Sequence, residues 1–225
     1  MDFMKWLNSL GELLYEVMSW LVSYPITLWR VITNPLAMMT YADSELRDTQ
    51  DEQFSDTLNP PLFLVLSLLL TRAADEAIGG GTNPIVAKQT GLASLITDDT
   101  SFLVLRLLLF SMFPLMMATR FLRAQRVPVT RQRLKAPFYG QCYACAPFAL
   151  FLGLATSLGH AAIPGGHTIG PVLATVALLG YLSAVTMWFA HHLKQSLWRG
   201  LLNAGRAFVQ AAVASFVIAA LFVLR

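Results

Sequence analysis

Arg120-Phe121-Leu122-Arg123-Ala124-Gln125-Arg126-Val127-Pro128-Val129-Thr130-Arg131-Gln132-Arg133-Leu134-Lys135 decides how this chain is read. The run carries six basic residues and no acidic one, and long apolar stretches flank it before Arg120 and after Ala136. Lys and Arg are held on the cytoplasmic side of a bilayer, so a basic connection between two membrane-length segments fixes orientation. Arg120, Arg123, Arg126, Arg131, Arg133 and Lys135 are therefore read as cytoplasmic residues facing lipid headgroups. The topology is counted outward from them.

Composition agrees with a membrane setting. Of 225 residues, 56% are hydrophobic and 13% charged, where soluble domains carry about 25% charged residues. The net charge of +3 comes almost wholly from the basic run. It reports orientation and gives no reason to expect nucleic acid as a partner. Two cysteines, Cys142 and Cys145, exclude a disulfide-stapled secreted scaffold. Met1 to Lys5 lack a basic leader, and Glu12 and Glu16 interrupt the apolar stretch behind them, so a cleaved signal peptide is not expected.

The expected fold is all-α: a polytopic membrane protein with five transmembrane helices behind an N-terminal interfacial amphipathic helix. The spans are placed at about 59–79, 101–118, 136–158, 171–190 and 201–224. Asn59-Pro60-Pro61 opens the first, because proline suits a helix's first turn. Gly79-Gly80-Gly81 ends it and lacks the Gly-Lys-Ser/Thr of a phosphate loop. Pro114 predicts a kink in the second span. Lys194 and Arg199 return the chain to the basic side after the fourth. All five tryptophans fall at that edge in this topology, as aromatics at an interface do. Small residues four apart, Cys145-Ala149-Gly153-Ser157 in the third span and Ala211-Ser215-Ala219 in the fifth, predict close helix packing. Gly180 and Ala184 give the fourth a shorter version, so the last three spans are expected to form the core of the bundle.

The first 58 residues read as a cytoplasmic and interfacial region. Asp2, Lys5, Ser9, Glu12, Glu16, Ser19 and Ser23 form one polar stripe on a helix over 2–23, opposite a wide apolar face. Such a helix lies in the membrane surface rather than across it. Pro25 and Pro35 bracket a short segment expected near that surface. Asp43, Glu45, Asp48, Asp51, Glu52 and Asp56 then make an acidic stretch without the glycine or spacing of a calcium hand. It reads as a solvated linker or a partner-docking segment.

Candidate sites are few. Arg72, Asp75 and Glu76 share a helix face, and Arg106 approaches from the next span, all in the outer part of the membrane. Ionisable groups at that depth are functional candidates because each is costly unless paired. A structural ion-pair cluster reaching the external surface is the competing reading. Cys142 and Cys145 share the cytoplasmic edge with His191 and His192, a weak candidate for zinc. Cys-x-x-Cys on a regular helix chelates poorly, and the two histidines, with Lys194 and Arg199, suit anionic lipid headgroups better. No cofactor and no catalytic constellation is expected.

Trp29-Arg30-Val31-Ile32-Thr33-Asn34-Pro35, Asn59-Pro60-Pro61, and Tyr143-Ala144 with Pro147 together resemble the Yip (Ypt-interacting protein) family, in particular its bacterial branch. The likeness covers roughly residues 25 to 225. It implies five spans with a cytoplasmic N-terminus. Eukaryotic members bind prenylated small GTPases, and bacterial ones are often labelled permeases. The expected function is a non-enzymatic membrane scaffold with a cytoplasmic docking surface for a protein partner or a second copy. The alternative is a small permease using the charged cluster. The expected location is the inner (plasma) membrane, C-terminus outside.

Overall fold

A computed structural model describes residues 2–49, 52–78, 99–161 and 165–224. All regular structure among them is helical: α1 (Asp2–Thr33), α2 (Pro35–Glu45), α3 (Pro60–Ala77), α4 (Asp99–Ala124), α5 (Arg131–His160), α6 (Gly166–His192) and α7 (Leu197–Leu224). Four of these, α4 to α7, are long and apolar enough to cross a membrane. That is one short of the five spans expected. The remaining candidate, α3, has 18 residues, and Arg72, Asp75 and Glu76 fall among them. Asp51 and the glycine-led connection after α3, at 79–98, lie outside the described residues.

The bundle is built around α5. Inside its apolar window 61% of residues are buried, against 17% for α7. It packs most extensively on α6 and α3, then on α4 and α2. Water cannot drive helices together within lipid, so association depends on backbones coming close. The predicted small-residue stripe supplies this, with Cys145, Ala149, Gly153 and Ser157 all buried. A Cβ on Gly153 would stand 2.5 Å from Thr71 Cγ2 of α3, and one on Gly140 would stand 2.8 Å from the Met39 carbonyl oxygen of α2.

Two packing expectations are corrected. The helix predicted to complete the core, α7, is peripheral and packs on α4 and α6, while α3 takes the place beside α5. The reason lies in side-chain size. On α7 the buried face is Ala204, Ala207 and Ala211, and its larger residues Val209, Val213 and Phe216 point outward. Gly180 of α6 is also exposed, with nothing within 4 Å of the position its Cβ would take.

Expectation and structure also differ at the N-terminus. The amphipathic helix does not stop at 23, and no separate surface segment follows; α1 continues through Pro25 to Thr33. An interior proline costs a helix about 3 kcal/mol. Docking of the last turns offsets that cost. Tyr24, Thr27 and Val31 are buried along one face. The Tyr24 hydroxyl meets Ser67 Oγ of α3 at 2.9 Å, and the Leu58 N–H donates to Thr27 Oγ1 at 3.2 Å. Before Tyr24 the helix leaves the bundle, and Leu13, Leu14, Met18, Leu21 and Val22 are exposed.

The acidic stretch is no free linker. Asp43 and Glu45 belong to α2, and residues 46–49 and 52–58 form a hook, with the Gln53 side-chain amide donating to the Asp48 carbonyl at 2.9 Å. The Glu45 carboxylate accepts from the Phe54 N–H. Phe54 adopts a left-handed φ of 59° and buries its ring between Tyr41 and Tyr139. The Tyr143 hydroxyl of α5 closes the hook, donating to the Leu58 carbonyl at 2.8 Å and meeting Thr57 Oγ1 at 3.0 Å. Apolar Phe54 and Leu58 inside a polar sequence carry no helical or strand period, so the hook is invisible to pattern reading.

The close approach at Gly140 yields a sharp expectation. Gly140→Ala should destabilise the bundle by about 1–3 kcal/mol, because the opposing atom is backbone and cannot rotate away. Gly180→Ala should be neutral or stabilising by up to about 1 kcal/mol, since its methyl meets nothing. Thermal unfolding of the two detergent-solubilised variants beside the parent protein checks both signs.

Candidate functional site

Arg72, Asp75 and Glu76 share one face of α3. Arg72 Nη2 lies 3.0 Å from Glu76 Oε1 and Nη1 lies 3.8 Å from Asp75 Oδ2, at helical i,i+4 and i,i+3 spacings. Arg106 comes from α4 to the same level. Its Nη2 would stand 3.2 Å from a Gly153 Cβ, its guanidinium lies over the Phe102 ring at 5.9 Å, and it is within electrostatic reach of Asp75. Gly153 precedes the α5 terminus at His160 by seven residues, about 10 Å along the helix. The cluster therefore sits near the end of the bundle opposite the basic run. Glu76 is 60% exposed, and among the described residues none of the four residues lines the clefts at α2, α5 and α6. Such a partly solvated pair contributes at most about 1 kcal/mol.

The cysteines and histidines do not come together. Among the described residues no three His, Cys, Asp or Glu side chains converge on a point. The reason is where α5 begins. It starts at Arg131 rather than at Ala136, which sinks Cys142 eleven residues into the helix, about 16 Å. Both cysteines are fully buried, and Cys145 Sγ donates to the Phe110 carbonyl at 3.6 Å. His192 instead stacks on Trp188 at 4.6 Å and meets the edge of Phe121 at 6.2 Å. Trp188 is 1% exposed, a core residue rather than an interfacial anchor.

At the basic end, helix termini take up most of the predicted loop. Only residues 125–130 separate α4 from α5. Arg126 and Lys194 each adopt left-handed backbone angles, with φ of 58° and 48°, just past the ends of α4 and α6. The Val127 N–H reaches back to the Leu122 carbonyl and the Gln195 N–H to the Ala190 carbonyl, both at the six-to-one spacing that closes a helix. Cations there favour the negative helix end. Arg120 departs from the headgroup reading: its Nε and Nη2 donate to Asn203 Oδ1 of α7 at 3.0 and 2.8 Å. Arg123, Arg131, Arg133, Lys135 and Arg199 are exposed at this end.

Three further features line the bundle, the first midway along α5 and α6 and the other two at the basic end. An apolar cleft of about 330 Å³ opens between the α1–α2 junction, α5 and α6, walled by Val31, Pro147, Phe151, Val176 and Gly180. An open cleft of about 850 Å³ separates α2 from His191. Asp43 stands between that cleft and the α4–α5 connection. Burial pushes its carboxyl above the ordinary range, against the opposing influence of His192 and Arg47. No family model, no curated protein and no solved structure matches this chain.

The Asp43 shift has a definite pH signature. A raised carboxyl pKa means the fold disfavours the charged form, so the penalty is present at neutral pH and fades as pH falls toward the unfolded value near 3.8. Asp43→Asn should therefore melt higher than the parent at pH 7, with the gap closing by about pH 4. Paired melting curves at the two pH values test the sign.

Proposed function

We propose that this protein is an integral membrane adaptor: a helical anchor that carries a prefolded docking platform, without catalytic chemistry of its own. The observation that carries the reading is the hook formed by 46–49 and 52–58, locked to α5 by Tyr143 and to α1 by Thr27. Buried hydrogen bonds of this kind hold a surface in one shape. On that surface Asp48, Glu52 and Asp56 stand exposed. A partner with a basic face, whether another protein or a second copy presenting its own arginines, suits their charge.

In this proposal α3 is the fifth span. Its first turn lies beside Tyr143 and its Thr71 beside Gly153, so it runs parallel to α5. It starts twelve residues in from Arg131, about 18 Å along α5. A helix beginning at that depth, its inner end covered by α2 and the hook, needs only 18 residues to reach the far side. Irregular backbone is tolerated at such depth when protein buries it. The basic end then faces the cytoplasm of an inner (plasma) membrane, with the C-terminus outside. The exposed apolar face of α1 before Tyr24 is left to face lipid. This arrangement agrees with what the Yip resemblance implies.

The permease reading needs a polar path at mid-bilayer. At that depth the cleft between α5 and α6 is walled almost wholly by carbon, which favours the adaptor.

Neutralising the platform separates the two. Asp48→Asn, Glu52→Gln and Asp56→Asn combined should abolish a specific crosslink to a partner in native membranes while leaving the melting temperature within a few degrees. An unchanged crosslinking profile argues against the adaptor.

A further inference from the structure

A third cleft, of about 560 Å³, lies at the basic end between the end of α2, the end of α4 and the first turns of α5. Its cations come from two elements far apart in sequence: Arg47 beyond α2, and Arg133 with Lys135 from α5. Gln125 and Gln132 add amide donors, and Leu122 and Pro137 form an apolar floor. Asp43 is the one acid in the lining, and it faces His192 as well as Arg47. Among the described residues no carboxylate lies within ion-pair distance of Arg47, Arg133 or Lys135.

The charges on α5 also oppose their own helix. Its first turns carry Arg131, Arg133 and Lys135 and no acid, although the partial positive charge of a helix N-terminus disfavours cations. The Arg133 backbone N–H donates to the Thr130 cap, and its exposed side chain lines the cleft. Arg123 and Arg126, at the end of α4, suit the negative end they occupy. Among the described residues the second half of the basic run therefore has no acidic partner, and the one local contact its charged groups make is Lys135 over the Tyr139 ring. A bound anion would remove the conflict.

We propose that this cleft binds a phosphate monoester or diester, the group presented by an anionic phospholipid at the cytoplasmic surface. Arg133 and Arg47 would each offer paired N–H donors to phosphate oxygens. Lys135, held 5.6 Å from the Tyr139 ring, would supply a third cation, and the apolar floor would accept the first carbons beyond the phosphate.

Native mass spectrometry of the full chain, extracted from bilayers of mixed phosphatidylglycerol and phosphatidylcholine, tests this. The parent protein should retain phosphatidylglycerol in preference to phosphatidylcholine. Arg47→Gln, Arg133→Gln and Lys135→Gln combined should cut that retention about tenfold. The control, Arg123→Gln with Arg126→Gln, removes nearby charge outside the cleft and should retain lipid as the parent does. Equal loss in both variants, or no headgroup preference in the parent, overturns the proposal. If lipid is not retained but millimolar inorganic phosphate or glycerol phosphate raises the parent's melting temperature and not the triple variant's, the phosphate source is soluble. If neither occurs, the cleft binds no phosphate. Should the triple variant fail to fold, the exposed Arg133→Gln alone carries the same comparison.

Discussion

Close approach of α2 and α3 at the glycines of α5 is the constraint on which the rest of this structure depends. Lipid gives apolar side chains no reason to prefer one another over acyl chains, so packing here comes from surface shape. At Gly140 and Gly153 the neighbouring chain fills the space a side chain would occupy. Those two contacts fix α2 and α3 against opposite halves of one helix. Once they are fixed, the segment joining α2 to α3 has its ends set. The hook formed by 46–49 and 52–58 then folds into a gap closed by the Tyr143 hydroxyl.

The same packing separates the two ends of the molecule chemically. One end gathers the termini of α4 and α6, each closed by a basic residue in the left-handed region, with the opposing N-terminus of α5 between them. The other holds the Arg72, Asp75, Glu76 and Arg106 cluster, in which opposite charges meet. An excess of one sign at the first end and pairing at the second is the asymmetry by which bilayers orient proteins. Arg120, turned inward onto Asn203, is the exception, serving packing between α4 and α7.

Features set by charge or by small residues at regular spacing were legible in the sequence. The all-helical class, four membrane-length helices and the buried stripe on α5 all belong to that kind. Features decided by a tertiary contact were not. Pro25 ends a helix by local rules, and only the docking of Tyr24, Thr27 and Val31 carries α1 past it. Trp188 looks like an interfacial residue until Phe121 and His192 close around it. The cysteine–histidine grouping failed because sharing a membrane edge does not imply sharing a depth. The phosphate cleft is of the same type: Arg47 is far in sequence from Arg133, and a one-dimensional reading gave no reason to join them.

The account stands on α5 crossing the bilayer with its basic end in the cytoplasm. Single-cysteine labelling of intact cells with a membrane-impermeant maleimide measures this directly at Arg126→Cys and His160→Cys, which bracket the helix. Cys142 and Cys145 are fully buried and should give little background. The account predicts that position 160 reacts in intact cells and position 126 reacts only after the membrane is opened. Labelling of both positions from the same side would contradict it.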